Sequence, residues 1–162
     1  MKRLLIATGV IASLAAAHNA NAGSQTANMG MSATVTTVCS LSTTPISFGE
    51  VSLSGPTDGT GTISVTCTDD GTYNVGLDTG ANAQAGQRQL VSGSNALNYN
   101  LYSDSGYSTA WGNTVGTNTV AGTGSGSAQT LTVYGQIPGS QTLHSGTGSA
   151  TYSDTVTVTV YY

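Results

Sequence analysis

Beyond Arg3 the sequence contains no lysine, and Arg88 is its one arginine. A chain with so few cations cannot neutralise a run of phosphates, which argues against nucleic acid as a partner. The same shortage disfavours an anionic membrane surface. Histidine is almost as scarce: only His18 and His144 occur. Glycines are plentiful but irregularly spaced, so no phosphate-binding loop is implied. No helical period appears beyond the first twenty or so residues. A nucleophilic serine on a strand-to-helix elbow therefore has no helix to precede.

Two cysteines, Cys39 and Cys67, lack C-x-x-C spacing and a nearby histidine, which argues against a metal pair or a thiolate nucleophile. The N-terminus reads as a secretory signal. Lys2 and Arg3 form its basic region, residues 4–17 its apolar core and residues 20–22 (ANA) its cleavage site. The apolar run is too short and too weakly flanked to anchor in a membrane. Cleavage makes Gly23 the first mature residue and removes His18. The remaining chain has one arginine against seven acids, a net charge of about −6. In an exported chain, Cys39 and Cys67 are expected to form a disulfide. Such a link would stabilise the fold by roughly 3–4 kcal/mol on a chain-entropy argument.

What is present is alternation. Residues 152–162 place Val156, Val158, Val160 and Tyr162 on one face and Thr155, Thr157, Thr159 and Tyr161 on the other. Strict period two with β-branched residues predicts a strand with one face on a core. No return strand follows it in the sequence. An open, flat, apolar edge invites pairing, so an earlier segment or another molecule is expected to cover it. A weaker alternation opens the mature chain, with Ala27, Met29, Met31, Ala33 and Val35 as small or flexible knobs. It reads either as an ordinary first strand or as a strand meant for another subunit.

Between these ends the pattern predicts strands at residues 36–41, 45–51, 62–67, 72–78, 87–91, 96–103 and 129–137. Turns are expected at 55–59, 69–71, 92–94 and 104–106, and a long loop at 113–128. The fold class is all-β, an immunoglobulin-like sandwich, with a jelly roll or small barrel as alternatives.

Candidate chemistry is sparse. His144 sits in a Gly/Ser loop and reads as solvated. Asp69, Asp70 and Asp78 could meet a hard cation, although adjacent acids in a turn are ordinary turn chemistry. Tyr99, Tyr102, Tyr107 and Trp111 could stack on a sugar, which makes a carbohydrate-binding or coat protein the alternative function. Arg88 is expected to hold a carboxylate, within the domain or at a subunit contact. No catalytic set, metal site or cofactor site emerges, and the chain does not read as an enzyme.

Several pieces together carry a family likeness: Cys39, residues 46–49 (ISFG), 61–67 (GTISVTC), 73–78, 86–88 (GQR), 97–104 (LNYNLYSD), 111–112 (WG), 130–135 (TLTVYG) and 152–160. In this the chain resembles the spore coat protein U family, which includes subunits of archaic chaperone–usher pili. The resemblance implies a sandwich lacking its final strand, with a groove filled first by a periplasmic chaperone and then by the N-terminal strand of the next subunit. This is strand addition at a sheet edge. It also implies an outer-membrane usher as a partner, a location on the cell surface reached through the periplasm, and a role in adhesion and biofilm formation. Residues 23–35 would be the donor segment, with Ala27, Met29, Met31, Ala33 and Val35 as knobs. Residues 36–162 would be the sandwich, with Val156, Val158, Val160 and Tyr162 lining the groove. The absence of room for a second domain favours a shaft or minor subunit over a tip adhesin.

Overall fold

The computed structural model describes residues 23–52, 54–145 and 148–162. The expected signal peptide, residues 1–22, lies outside the described residues. The chain divides into two compact units at Thr34 and Val35. In the first unit, residues 23–34 carry no helix or strand, and Met29 and Met31 are exposed.

The second unit is all-β. Its nine strands among the described residues are β1 (Cys39–Thr44), β2 (Thr57–Cys67), β3 (Thr72–Leu77), β4 (Gln89–Ser92), β5 (Asn95–Asn98), β6 (Asn100–Tyr102), β7 (Val120–Thr123), β8 (Gln129–Ile137) and β9 (Val158–Tyr161). One antiparallel sheet runs β1-β2-β8-β6, a second runs β7-β3-β9, and β4 pairs with β5 as a separate ribbon. The alternation decides which side chains meet. Ile63, Val65 and Cys67 of β2, Val133 and Ile137 of β8 and Leu101 of β6 form one core with Tyr73, Val75 and Leu77 of β3. The two sheets thus pack face to face around a single interior. Thr60, Thr62, Ser64 and Thr66 point the other way on β2, toward solvent.

Cys39 and Cys67 stand opposite each other in the β1–β2 register and are bonded, with S–S 2.04 Å. The expected disulfide is therefore present, and it fixes the start of β1 to the end of β2.

Several elements depart from the pattern. Residues 45–51 do not join a sheet. They cross the inner face of the β1-β2-β8-β6 sheet instead, where Gly59, Gly61 and Gly135 leave space. A Cβ on Gly61 would lie 2.8 Å from Ile46 Cγ1, and one on Gly135 would lie 2.9 Å from Phe48 Cζ. Thr57, Asp58 and Gly59 look like turn residues by composition but open β2, because Thr57 pairs with Ile137 and Gly59 with Gly135. The run 96–103 keeps its alternation yet changes partner at Tyr99: β5 pairs with β4 and β6 with β8. Within the Gly/Thr/Ser loop, Val120–Thr123 forms an edge strand on β3. Gly122 there lets the Tyr73 ring lie across its backbone.

Adding a side chain where residues 45–51 cross the sheet should overpack the interior. Gly61→Val is expected to destabilise the domain by about 1–3 kcal/mol, read as a lower urea midpoint at unchanged slope.

Candidate functional site

The site is built from two strand edges. β1 is bonded to β2 alone, and β9 to β3 alone. Each therefore has an outer edge with no strand on it among the described residues, and the two edges belong to different sheets. Between them lies an open groove. One wall is residues 43–48, the other residues 154–158, and Ile63, Leu77, Leu101 and Val133 form its floor. This compartment has a volume of about 280 Å³. A second, of about 380 Å³, continues it between residues 46–51 and 150–154, over Leu97 and Ile137. Ile46, Phe48, Leu90 and Asp154 line both and mark where they meet.

The wall at residues 153–157 is attached in an unusual way. It alternates in burial like a strand, but it carries no continuous ladder. Val91 and Ser153 exchange two backbone bonds of 3.0 and 3.1 Å, the Ala81 N–H donates to the Thr155 carbonyl, and the Asp78 N–H donates to the Thr157 carbonyl. Carboxylates make up the remainder. Asp78 Oδ1 accepts from the backbone N–H groups of Gly80 and Thr157, both at 2.9 Å. Asp154 Oδ1 accepts from the backbone and side-chain nitrogens of Asn82, both at 3.0 Å. Asp154 Oδ2 accepts from the Tyr99 hydroxyl at 2.7 Å. Tyr99 is 3% exposed, and its ring lies in the groove floor. This bond thus spans from the floor to the C-terminal wall.

Arg88 sits behind the same wall. Its guanidinium donates to the carbonyls of Leu77, Asp78 and Trp111 at 2.6–3.0 Å. It binds backbone oxygens, not the carboxylate expected from sequence. The planar fork suits this, since it presents several donors to converging acceptors. Burial lowers its pKa, opposed by the charges around Tyr99, Asp78 and Asp154. Burial, the bond to Asp154 and the Asp154 charge push the Tyr99 hydroxyl far above its ordinary value, so it remains a donor. At Asp78, burial opposes ionisation. Hydrogen bonds from Thr157 and Gly80 and the Arg88 charge outweigh it and hold the carboxyl below its usual range.

Of the residues expected to line a groove, Val156 and Val158 do so. Val160 packs on the core, and Tyr162 is exposed. Ala27, Met29, Met31, Ala33 and Val35 all lie in exposed chain without strand. His144 is exposed in its loop, as are Asp69 and Asp70 in their turn. Trp111 is unavailable to a sugar: it is 1% exposed, and its indole N–H donates to the Val75 carbonyl at 2.8 Å. The Tyr107 ring packs edge-to-face against both Tyr102 and Tyr134. Among the described residues no three His, Cys, Asp or Glu side chains are placed to hold a metal ion. Sequence reasoning missed Ile46, Phe48, Leu90 and Asp154. Asp154 gave a signal in retrospect, as the one acid on the apolar face of residues 152–162.

Residues 25–159 match the Spore Coat Protein U domain family. The chain belongs to this family. Protein U of Myxococcus xanthus is 32% identical over 181 residues, covering 100% of this chain and 98% of that protein. A chain in the crystal structure of the CsuC–CsuE chaperone–tip adhesion subunit pre-assembly complex, from the archaic chaperone–usher Csu pili of Acinetobacter baumannii, superposes with TM-score 0.57 at 25% identity. The match covers 80% of this spore coat protein U domain chain but 40% of the length of that one.

The lowered Asp78 pKa has a definite sign. A carboxyl depressed in the folded state contributes stability above its unfolded value of about 3.9, and that contribution is lost as pH falls through the lower folded value. Urea midpoints measured from pH 7 down to pH 2 should show a smaller acid loss in Asp78→Asn than in the unsubstituted protein.

Proposed function

We propose that this protein is a structural subunit of a surface fibre that polymerises by strand exchange. The carrying observation is the apolar groove between the unpaired edges of β1 and residues 154–158, floored by core side chains. A protein interior left open along a strand's length is complementary to one thing above all, an extended segment with alternating apolar side chains. The mature chain begins with such a segment. Ala27, Met29, Met31, Ala33 and Val35 of one copy would be the knobs, and the groove walls of the next copy, with Val156 and Val158 along one side, would be the acceptor. Main-chain bonds to β1 supply affinity and the knobs set register.

The family supports this reading, as does the likeness to a chain from a chaperone–subunit pre-assembly complex. On the same reading the subunit crosses the periplasm with a chaperone strand in its groove and is released at an outer-membrane usher. The fibre then serves adhesion and biofilm formation. Burying a Met or Val side chain contributes roughly 1.5–3 kcal/mol, so several knobs and a ladder make a joint that opens slowly. The contact is head to tail and does not close on itself, so it yields an open filament.

The test is thermal unfolding and size-exclusion chromatography of the mature domain lacking residues 23–32, with and without a peptide of residues 23–37. The truncated domain is expected to be unstable or to aggregate alone. Peptide at a hundred times its dissociation constant should add about 2.7 kcal/mol of stability. A stable monomer indifferent to the peptide would overturn the proposal.

A further inference from the structure

The groove is not uniform along its length. Its two compartments, about 280 and 380 Å³, share Asp154 as a lining residue. Where the two compartments meet, the trough carries a hydrogen-bonded pair, the Tyr99 hydroxyl on Asp154 Oδ2. The other carboxylate oxygen is held by the backbone and side chain of Asn82. With both oxygens engaged, the carboxylate cannot swing aside without leaving polar groups unpaired in a partly buried setting. The pair is therefore a fixed bar where the two spaces meet, and each space is walled in part by apolar side chains.

An extended strand presents same-face side chains about 6.6–6.8 Å apart. A strand laid along this groove must carry a large apolar knob into each compartment and a small residue over the bar. Two small knobs occur in the N-terminal segment, Ala27 and Ala33. The same-face neighbours of Ala27 are Gln25 and Met29, so one compartment would receive an amide. Those of Ala33 are Met31 and Val35, both apolar.

We propose that the Tyr99–Asp154 hydrogen bond is the register stop of the groove, and that a second copy of this chain seats Ala33 on it, with Met31 and Val35 in the flanking compartments. The inference rests on the strand-exchange reading and adds the register to it. Asp154 and Tyr99 are thereby positioning residues. They carry no affinity of their own but set which of several two-residue slips is stable. Slips by two residues keep every knob facing inward, so hydrophobicity alone cannot choose among them.

The experiment refolds the mature chain, residues 23–162, in excess fluorescent peptide of residues 23–37, isolates the complex and follows peptide loss during a chase with unlabelled peptide. Ala33→Leu in the peptide should raise the loss rate about tenfold or more, since a branched side chain collides with the bar. Ala27→Leu, which in this register lies away from the bar, should raise it several-fold less than Ala33→Leu does. Asp154→Gly in the acceptor removes the bar and should restore retention of the Ala33→Leu peptide. Should that variant not fold, the two peptides on the unsubstituted chain decide the matter. Equal retention of the Ala33→Leu and unsubstituted peptides, or selective loss of Ala27→Leu, would overturn the register while leaving strand exchange standing. Failure of the unsubstituted peptide to be retained at all would overturn strand exchange, and the register with it.

Discussion

A strand edge presents a row of backbone amides and carbonyls with no ladder partner, and the two sheets of this domain leave two such edges facing one seam among the described residues. β1 ends its sheet on one side of the seam and β9 ends the other sheet across from it. The remaining features keep the seam open and shaped. The Cys39–Cys67 bond holds the start of β1 in register on β2. Gly59, Gly61 and Gly135 clear the inner sheet face so that Ile46 and Phe48 can form a wall. On the far side, Asp78 and Asp154 clip residues 153–157 to the domain in place of a ladder.

The polar chemistry is economical because there is so little of it. Seven acids and one arginine serve the described domain. Asp78, Asp154 and Arg88 all act at the C-terminal wall. Asp104 organises a different place: its carboxylate accepts from the backbone of Gly106, Ser108 and Thr109. The Thr109 bond foremost holds its pKa below the usual range. That loop carries Tyr107 at φ 53°, a left-handed conformation uncommon for a bulky residue. It places the ring edge-on to Tyr102 and to Tyr134. A cluster that composition suggested for sugar stacking is thus largely occupied with itself.

Period-two alternation made β2, β3, β8 and the closing strand legible, because burial of one face is what selects those residues. Residues 45–51 show its limit. Ile46 and Phe48 alternate correctly, yet the segment pairs with nothing, since its position depends on three glycines distant in sequence. Thr57, Asp58 and Gly59 were obscured for the opposite reason: tertiary pairing with β8 overrides turn composition. The groove's valines, Val156 and Val158, could be read from their spacing. The bar between Tyr99 and Asp154 could not, because it joins residues 55 apart through a contact that no periodicity encodes.

The cradle of carbonyls around Arg88 has a consequence for how the molecule meets other enzymes. A protease that cuts after lysine or arginine finds a single candidate bond between residues 23 and 162, and its arginine is already held by three backbone oxygens. Cleavage needs that side chain extended into a foreign pocket with the backbone drawn out around it, which requires the end of β3 and the Trp111 turn to let go together. The same scarcity of cations that disfavours phosphate partners leaves proteases of this specificity almost nothing to hold.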